Sequence, residues 1–345
     1  MSPGARLVLR RGVVTDAGPA GTLEQRLVVD VPGRGPRPAV ADTGLVGAAA
    51  PGDDVVVNTQ AADLDLGSGG FDVVHVNLTR GLDAAGVPGA HVMKLNYSSL
   101  QHAVVPVESR DLRLPLARPV GVLALHGQLA PLAWAAAQAR PGIALGYVQT
   151  AGGALPGGHS RVVAELRSRG LLAGHLTAGA AYGGEGEAIT TAGALHDGLG
   201  ELGWDAAICG PGPGILGSAT PLGHGGLVAL DSAHTALALG CPVVLCARMS
   251  SGDPRERHRG LSHHTATVLR LLLGPVTVAV PEGWADGLPQ APQPHAERRV
   301  AADLAGYAAS GLPVRTMGRE INADELFFAA ALAAGTTLAQ MEEDA

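Results

Sequence analysis

The sequence predicts an α/β protein. A small β-rich, barrel-like N-terminal domain over residues 1–115 is expected to precede a doubly wound, Rossmann-like parallel-sheet domain over residues 116–345. Three observations carry this. Short Val-rich runs broken by Gly, Pro and Asp fill the first third of the chain. After Pro119, apolar runs of strand length alternate with stretches of helical length, the pattern of βαβ units. Hydrophobic residues make up 46% of the 345 positions but aromatics only 3%, so the core must be Ala, Val and Leu, which suits close layers of helix and parallel strand.

In the first third, "RLVLRRGVVTD", "QRLVVDV", "DDVVVNTQ" and "GFDVVHVNL" read as strands of a small barrel or sandwich. "VESRDLRLPLARP" reads as an extended, proline-punctuated linker. From there "VGVLAL" is a strand and "LAPLAWAAAQA" a helix with Pro131 in its first turn. "IALGYVQT" is a strand and "SRVVAELRSRG" an amphipathic helix ending at Gly170. "LLAGHLTAG" is a strand, and a helix is expected near 190–202. "DAAICG", the helix "LDSAHTALALG", "PVVLCA", the helix "SHHTATVLRLLL" and "PVTVAV" continue the alternation. Two closing helices are expected near 297–309 and 322–341.

Composition narrows the partners. The net charge is -7, with no basic face, so nucleic acid is not an expected partner. The apolar runs are broken by Gly and Pro before they reach membrane-spanning length, and the N-terminal stretch lacks the apolar core of a signal peptide. The three cysteines, Cys209, Cys241 and Cys246, lie in apolar runs without a CxxC pair and read as reduced core residues. A cytoplasmic location follows as an expectation.

In an open parallel sheet, ligands bind at the carboxyl ends of the strands. The loops expected there are long, polar and rich in glycine. They carry His126, then Gly152 and Gly153, then Glu185 and Glu187, then Gly210, Gly212, Gly214, Gly217 and Ser218. The opposite loops, such as "QARPG" and "LGCP", are short and plain. Connections from strand to helix usually take about 2–6 residues, so the longer ones mark a functional rim. "GPGILG" at 212–217 spells G-x-G-x-x-G, but no helix opens at its third glycine and no acid ends the next strand, where Arg248 stands. A phosphate resting on the amides of this loop is the better use of those glycines.

The last of these loops, "DPRERHRGLSHHT" from Asp253 to Thr265, packs three arginines and three histidines into a chain that is only 16% charged. Ser262 is placed to cap the helix opening at His263, whose free amides and dipole favour an anion. Arg255, Arg257 and Arg259 precede it, and a guanidinium grips phosphate or carboxylate by two parallel hydrogen bonds. If the loop is extended, alternation puts all three on one side. The plain alternative is a solvated loop in which Asp253 and Glu256 neutralise two of the arginines. It leaves His258, His263 and His264 unexplained, whereas an anion pocket uses them as donors or proton carriers.

No HExxH or Cys/His spacing is present, so no metal ligand set is expected. Consecutive helical residues point about 100° apart, which sets His263 and His264 on different neighbours. Ser160, Ser218 and Ser262 read as caps and turn formers rather than nucleophiles. No motif indicates a particular cofactor.

Taken together, "DPRERHRGLSHHT", "TAGGALP", "GGEGEAIT", "GPGPGILGSAT", "TMGRE" and the earlier "GDDVVVNTQAADLDLGSGGFDVVHVNL" resemble an uncharacterised bacterial family, domain of unknown function 3866, over nearly the whole chain. The resemblance implies the domain layout and the choice of loops, and brings no activity with it.

The residues then support an enzyme acting on a small anionic substrate, phosphorylated or nucleotide-like. His126, His258, His264, Glu185 and Glu187 are its acid–base candidates, and the arginines and glycine loops its binding groups. Two other readings stand beside it. One is a non-catalytic sensor using the same pocket, with the β domain relaying occupancy or forming a homodimer contact. The other is a metal-dependent hydrolase built from His and Glu.

Overall fold

A computed structural model describes residues 6–20, 23–66 and 69–341. Met1–Ala5, the start of the stretch read for a signal peptide, lie outside the described residues. By its contacts the chain divides into two compact units, residues 1–105 and 106–345.

The first unit is a closed five-stranded barrel. Its strands are β1 (Leu9–Ala17), β2 (Glu24–Val31), β3 (Gly35–Asp42), β4 (Asp54–Asn58) and β5 (Asp72–Asn77). They are ordered β1-β2-β3-β5-β4, and β4 pairs with β1 to close the ring. All pairings are antiparallel except β3 with β5. Alternate positions point inward, so Val29, Val31, Val55 and Val57 are buried while their neighbours face outward.

The second unit is an eight-stranded sheet, parallel throughout. In chain order the strands are β6 (Val120–Leu123), β7 (Leu145–Thr150), β8 (Gly174–Ala178), β9 (Gly186–Ala188), β10 (Ala206–Pro211), β11 (Val243–Cys246), β12 (Thr277–Pro281) and β13 (Ala296–Val300). Across the sheet they run β9-β8-β7-β10-β6-β11-β12-β13. The central strands are buried on both faces, which is why they read as unbroken apolar runs.

Seven helices are used below: α1 (Leu129–Ala139), α2 (Arg161–Ser168), α3 (Thr191–His196), α4 (Val228–Ala238), α5 (His263–Leu271), α6 (Leu304–Ala309) and α7 (Glu325–Gln340). Residues of α1, α2 and α7 share one hydrophobic cluster, and residues of α3, α4 and α5 share the other. The sheet is therefore covered on both faces, as a doubly wound fold requires. Between α1 and α7 the backbones nearly touch: a Cβ added at Gly335 would lie 2.1 Å from the carbonyl oxygen of Leu132.

Two elements differ from the sequence expectation. Residues 296–300, expected as the start of a helix, form the edge strand β13, paired with β12 from Thr277↔Ala296 to Pro281↔Val300. The helix starts only at α6, where Asp303 accepts a hydrogen bond from Gly306 N and fixes the N-terminus. Glu187, expected in a loop, lies in the edge strand β9, paired with β8. Edge strands pack on few neighbours, so their sequences carry little apolar pattern.

Candidate functional site

β6 and β10 are neighbours, but β6 leads into α1 on one face and β10 leads into α4 on the other. This is the topological switch point, where the two connections part and leave a crevice at the carboxyl ends. A cavity of about 530 Å³ lies there. Its walls come from the segments after β6 (Leu125, His126, Gly127), after β10 (Pro213, Gly214, Ile215, Gly217, Ser218) and after β11 (Arg248, Arg255, Arg257, His258, His264), together with Arg315, Thr316 and Met317. Four arginines and three histidines line it, and no carboxylate does among the described residues.

The glycine loop is built on backbone contact. Ala154 N donates to the Pro213 carbonyl at 2.6 Å. A Cβ at Gly212 would fall 2.3 Å from the Ala154 carbonyl oxygen, and one at Gly153 would fall 2.2 Å from that of Gly212. Only glycine allows the loops after β7 and β10 to brace each other this closely. Gly152, Gly153, Gly210 and Gly212 thus form the backing of the wall, while Gly214, Gly217 and Ser218 face the cavity.

Arg248 lies two residues past the end of β11 and is only 4% exposed. Burial and the neighbouring Arg255 lower its pKa to about 10, so it keeps its charge at neutral pH. Asp253 is fully buried and anchors the cluster. It pairs with Arg255 at 2.7 Å, with Arg319 at 3.6 Å and with Arg248 at 3.8 Å, and the Arg255 guanidinium holds its carboxyl well below the usual range. Arg319 is also bound to Asp324 at 2.8 Å. Asp253 is therefore an internal counter-ion, and Arg257 and Arg315 are the more exposed cations on the wall.

The alternation expected of the three arginines does not hold. Residues 256–258 make a 3-10 turn, which leaves Arg255 and Arg257 on the cavity and sends the Arg259 Nε to the Asp253 carbonyl at 3.1 Å. Ser262 caps α5, accepting from His264 N at 3.2 Å, and its Oγ lies 2.7 Å from His258 Nδ1.

The histidines are held neutral. Burial, with Arg248 next in weight, lowers His258 to about 3 and His264 to about 2. Arg248 Nη1 lies 2.8 Å from His264 Nδ1; a guanidinium only donates, so the ring proton sits on Nε2. His126 is lowered to about 4 by burial. Its Nδ1 is 3.3 Å from the Pro211 carbonyl and its Nε2 is 2.7 Å from Ser160 Oγ. A carbonyl only accepts, so Nδ1 carries the proton and the Ser160 hydroxyl donates to Nε2. Ser160 in turn caps α2 through Val163 N at 3.2 Å.

Glu185 and Glu187 do not meet these histidines. Glu185 is bound to Arg167 at 2.7 Å and to His175 N at 3.1 Å. Glu187 accepts from Thr177 Oγ1 at 2.7 Å and Gly183 N at 2.6 Å. Both tie the β8–β9 edge together, so the His/Glu combination considered from the sequence is not assembled.

The structure does gather histidines that the sequence set apart. His224, His263 and His264 bring one ring nitrogen each to within 4.8 Å of one another. The rings of His263 and His264 are 4.5 Å apart, because His224, from the loop before α4, stacks on His264 at 3.6 Å and packs edge-on to His263 at 5.5 Å. Arg315 and Met317 were missed as lining residues. Met317 lies in the "TMGRE" stretch and Arg315 just before it, and the distance of that stretch along the chain from the other loops hides its proximity in space.

Fold and site together define an α/β protein with a cationic cavity at the switch point of a parallel sheet. The family model of a protein of unknown function, DUF3866, matches residues 38–335, and the chain belongs to that family. No curated protein and no solved structure matches it.

Proposed function

We propose that this protein is an enzyme acting on a small anionic substrate, phosphorylated or nucleotide-like, held in the switch-point cavity. The observation that carries this is the composition of the wall: four arginines and three histidines with no carboxylate among the described residues. Asp253 offsets Arg248 and Arg255, and Glu320 lies 3.6 Å from Arg315, but the guanidinia outnumber these carboxylates, and an anion relieves the repulsion that is left. Arg257 and Arg315 are the gripping guanidinia, Arg248 is the buried charge behind them, and Gly214, Gly217 and Ser218 form the backbone side of the cradle. Leu125, Ile215 and Met317 leave room for an uncharged portion of the ligand.

His126 is the favoured acid–base group. It stands on the cavity wall, and its tautomer is set by a carbonyl rather than a carboxylate. His258 and His264 serve as donors to the anion. A cytoplasmic location belongs to this reading, in keeping with three buried, unpaired cysteines. No described helix is long and apolar enough to cross a membrane.

A thermal-shift series with phosphate, sulfate and nucleotides tests the reading. Ligand bound only to the folded state stabilises it by RT ln(1 + [L]/Kd), about 2.7 kcal/mol at a hundredfold excess over Kd. The shift should fall with added salt and vanish in the Arg257→Ala/Arg315→Ala protein, whose ligand-free melting temperature stays close to that of the parent. Indifference of the parent protein to every anion offered sinks the reading.

A further inference from the structure

We propose that His224, His263 and His264 form a binding site for a divalent transition-metal ion of the zinc class, on the wall of the arginine-lined cavity. The first support is geometric: one nitrogen from each lies within 4.8 Å of the others. The second is unmet bonding. His263 Nε2 and both ring nitrogens of His224 are shielded from solvent and make no hydrogen bond of good geometry, the Pro221 carbonyl being the only backbone group close enough to act on the His224 ring. A buried polar atom left without a partner is costly, and several in one cluster call for a ligand that satisfies them together.

Imidazole donors suit zinc, cobalt, nickel or copper rather than magnesium or calcium, which take oxygen. Three protein ligands leave a further position for water or a substrate oxygen, as in catalytic rather than structural zinc sites. His264 lines the cavity, so that position is next to the anion site.

Loading needs two local adjustments. The rings of His224 and His264 are stacked, 6° from parallel, and a metal lies in the plane of each ring that binds it, so one ring must turn. His224 is the one better placed to do so, since turning it gives up no hydrogen bond of good geometry and only the weak contact with the Pro221 carbonyl, whereas His264 is held by Arg248. Arg248 donates to His264 Nδ1; if the ion takes that nitrogen, the guanidinium is released toward the cavity.

The test is a titration of chelator-treated full-length protein with Co²⁺, followed by visible absorption and calorimetry. One equivalent per chain with the intense absorption of tetrahedral nitrogen-ligated cobalt is expected, reversed by Zn²⁺. His224→Ala and His263→Ala should each weaken binding by at least about a hundredfold, the upper end of what loss of a merely supporting group costs. Arg257→Ala, outside the triad, should retain the spectrum while losing the anion-dependent stabilisation, which separates this site from the anion reading. If a histidine variant fails to fold, the spectrum of the parent protein decides alone. Absence of stoichiometric binding, a weak octahedral spectrum, or full binding by folded His224→Ala and His263→Ala proteins overturns the proposal.

Discussion

His126 and His175 both pack against Tyr147, His175 stacked on its ring at 5.3 Å and His126 tilted to it at 6.1 Å. Burial holds both neutral, with pKa values of about 4 for His126 and about 3 for His175, whose neighbours His126 and Arg167 add to the effect. In the unfolded chain each titrates near 6.5. The folded values are depressed, so the contribution to stability is full above about pH 6.5 and is lost as the pH falls from there toward about 4 and 3. Each group contributes a slope of up to about 1.4 kcal/mol per pH unit in that window. Denaturant unfolding from pH 7.5 to 4.5 should show falling stability, and His175→Phe should remove about one proton's share of the slope. An unchanged slope in that variant would show that His175 is protonated in the folded protein. At this scale the sequence was informative about residue type and weak about direction. Arg255, Arg257 and Arg259 were legible as a cationic cluster, but the turn at 256–258 that diverts Arg259 goes with the buried Asp253, whose depth no local pattern reveals.

Among the elements, α1 and α7 show how close packing is encoded by small residues. Twelve of the sixteen residues of α7 are buried, among them seven alanines and glycines, and Gly335 crosses α1 at Leu132. Gly335→Ala places a methyl against that carbonyl and should cost about 1–3 kcal/mol as the helices are forced apart, measurable as a lower denaturation midpoint. A neutral or stabilising result would mean that the layer has slack. The alternation of strand and helix after Pro119 was legible because buried parallel strands and covering helices differ in length and punctuation. β13 was not, because "AERRV" is an exposed edge whose pairing is dictated by β12 rather than by its own side chains. The carboxyl-edge loops were legible as a rim through their length. Which of them face the cavity is a matter of strand order, and the insertion of β10 between β7 and β6 is a long-range choice that no local pattern reveals.

For the molecule as a whole, every cavity-lining residue falls between Leu125 and Met317, inside the second unit. A fragment spanning 106–341 is therefore expected to fold and to keep the anion-dependent rise in melting temperature. Loss of that response in a folded fragment would mean that residues 1–105 contribute to the ligand site. The packing of α7 also bears on how the chain is made. Its partners α1, β6 and β12 are synthesised well before it, yet their apolar faces on that side are covered only when residues 325–340 arrive. On the ribosome the nascent second unit must carry an uncovered alanine- and leucine-rich flank for most of its translation. Such a flank exposes the growing chain to aggregation, and folding of the second unit is expected to complete only once α7 has been made, which pulsed hydrogen exchange on a chain truncated before residue 325 would check.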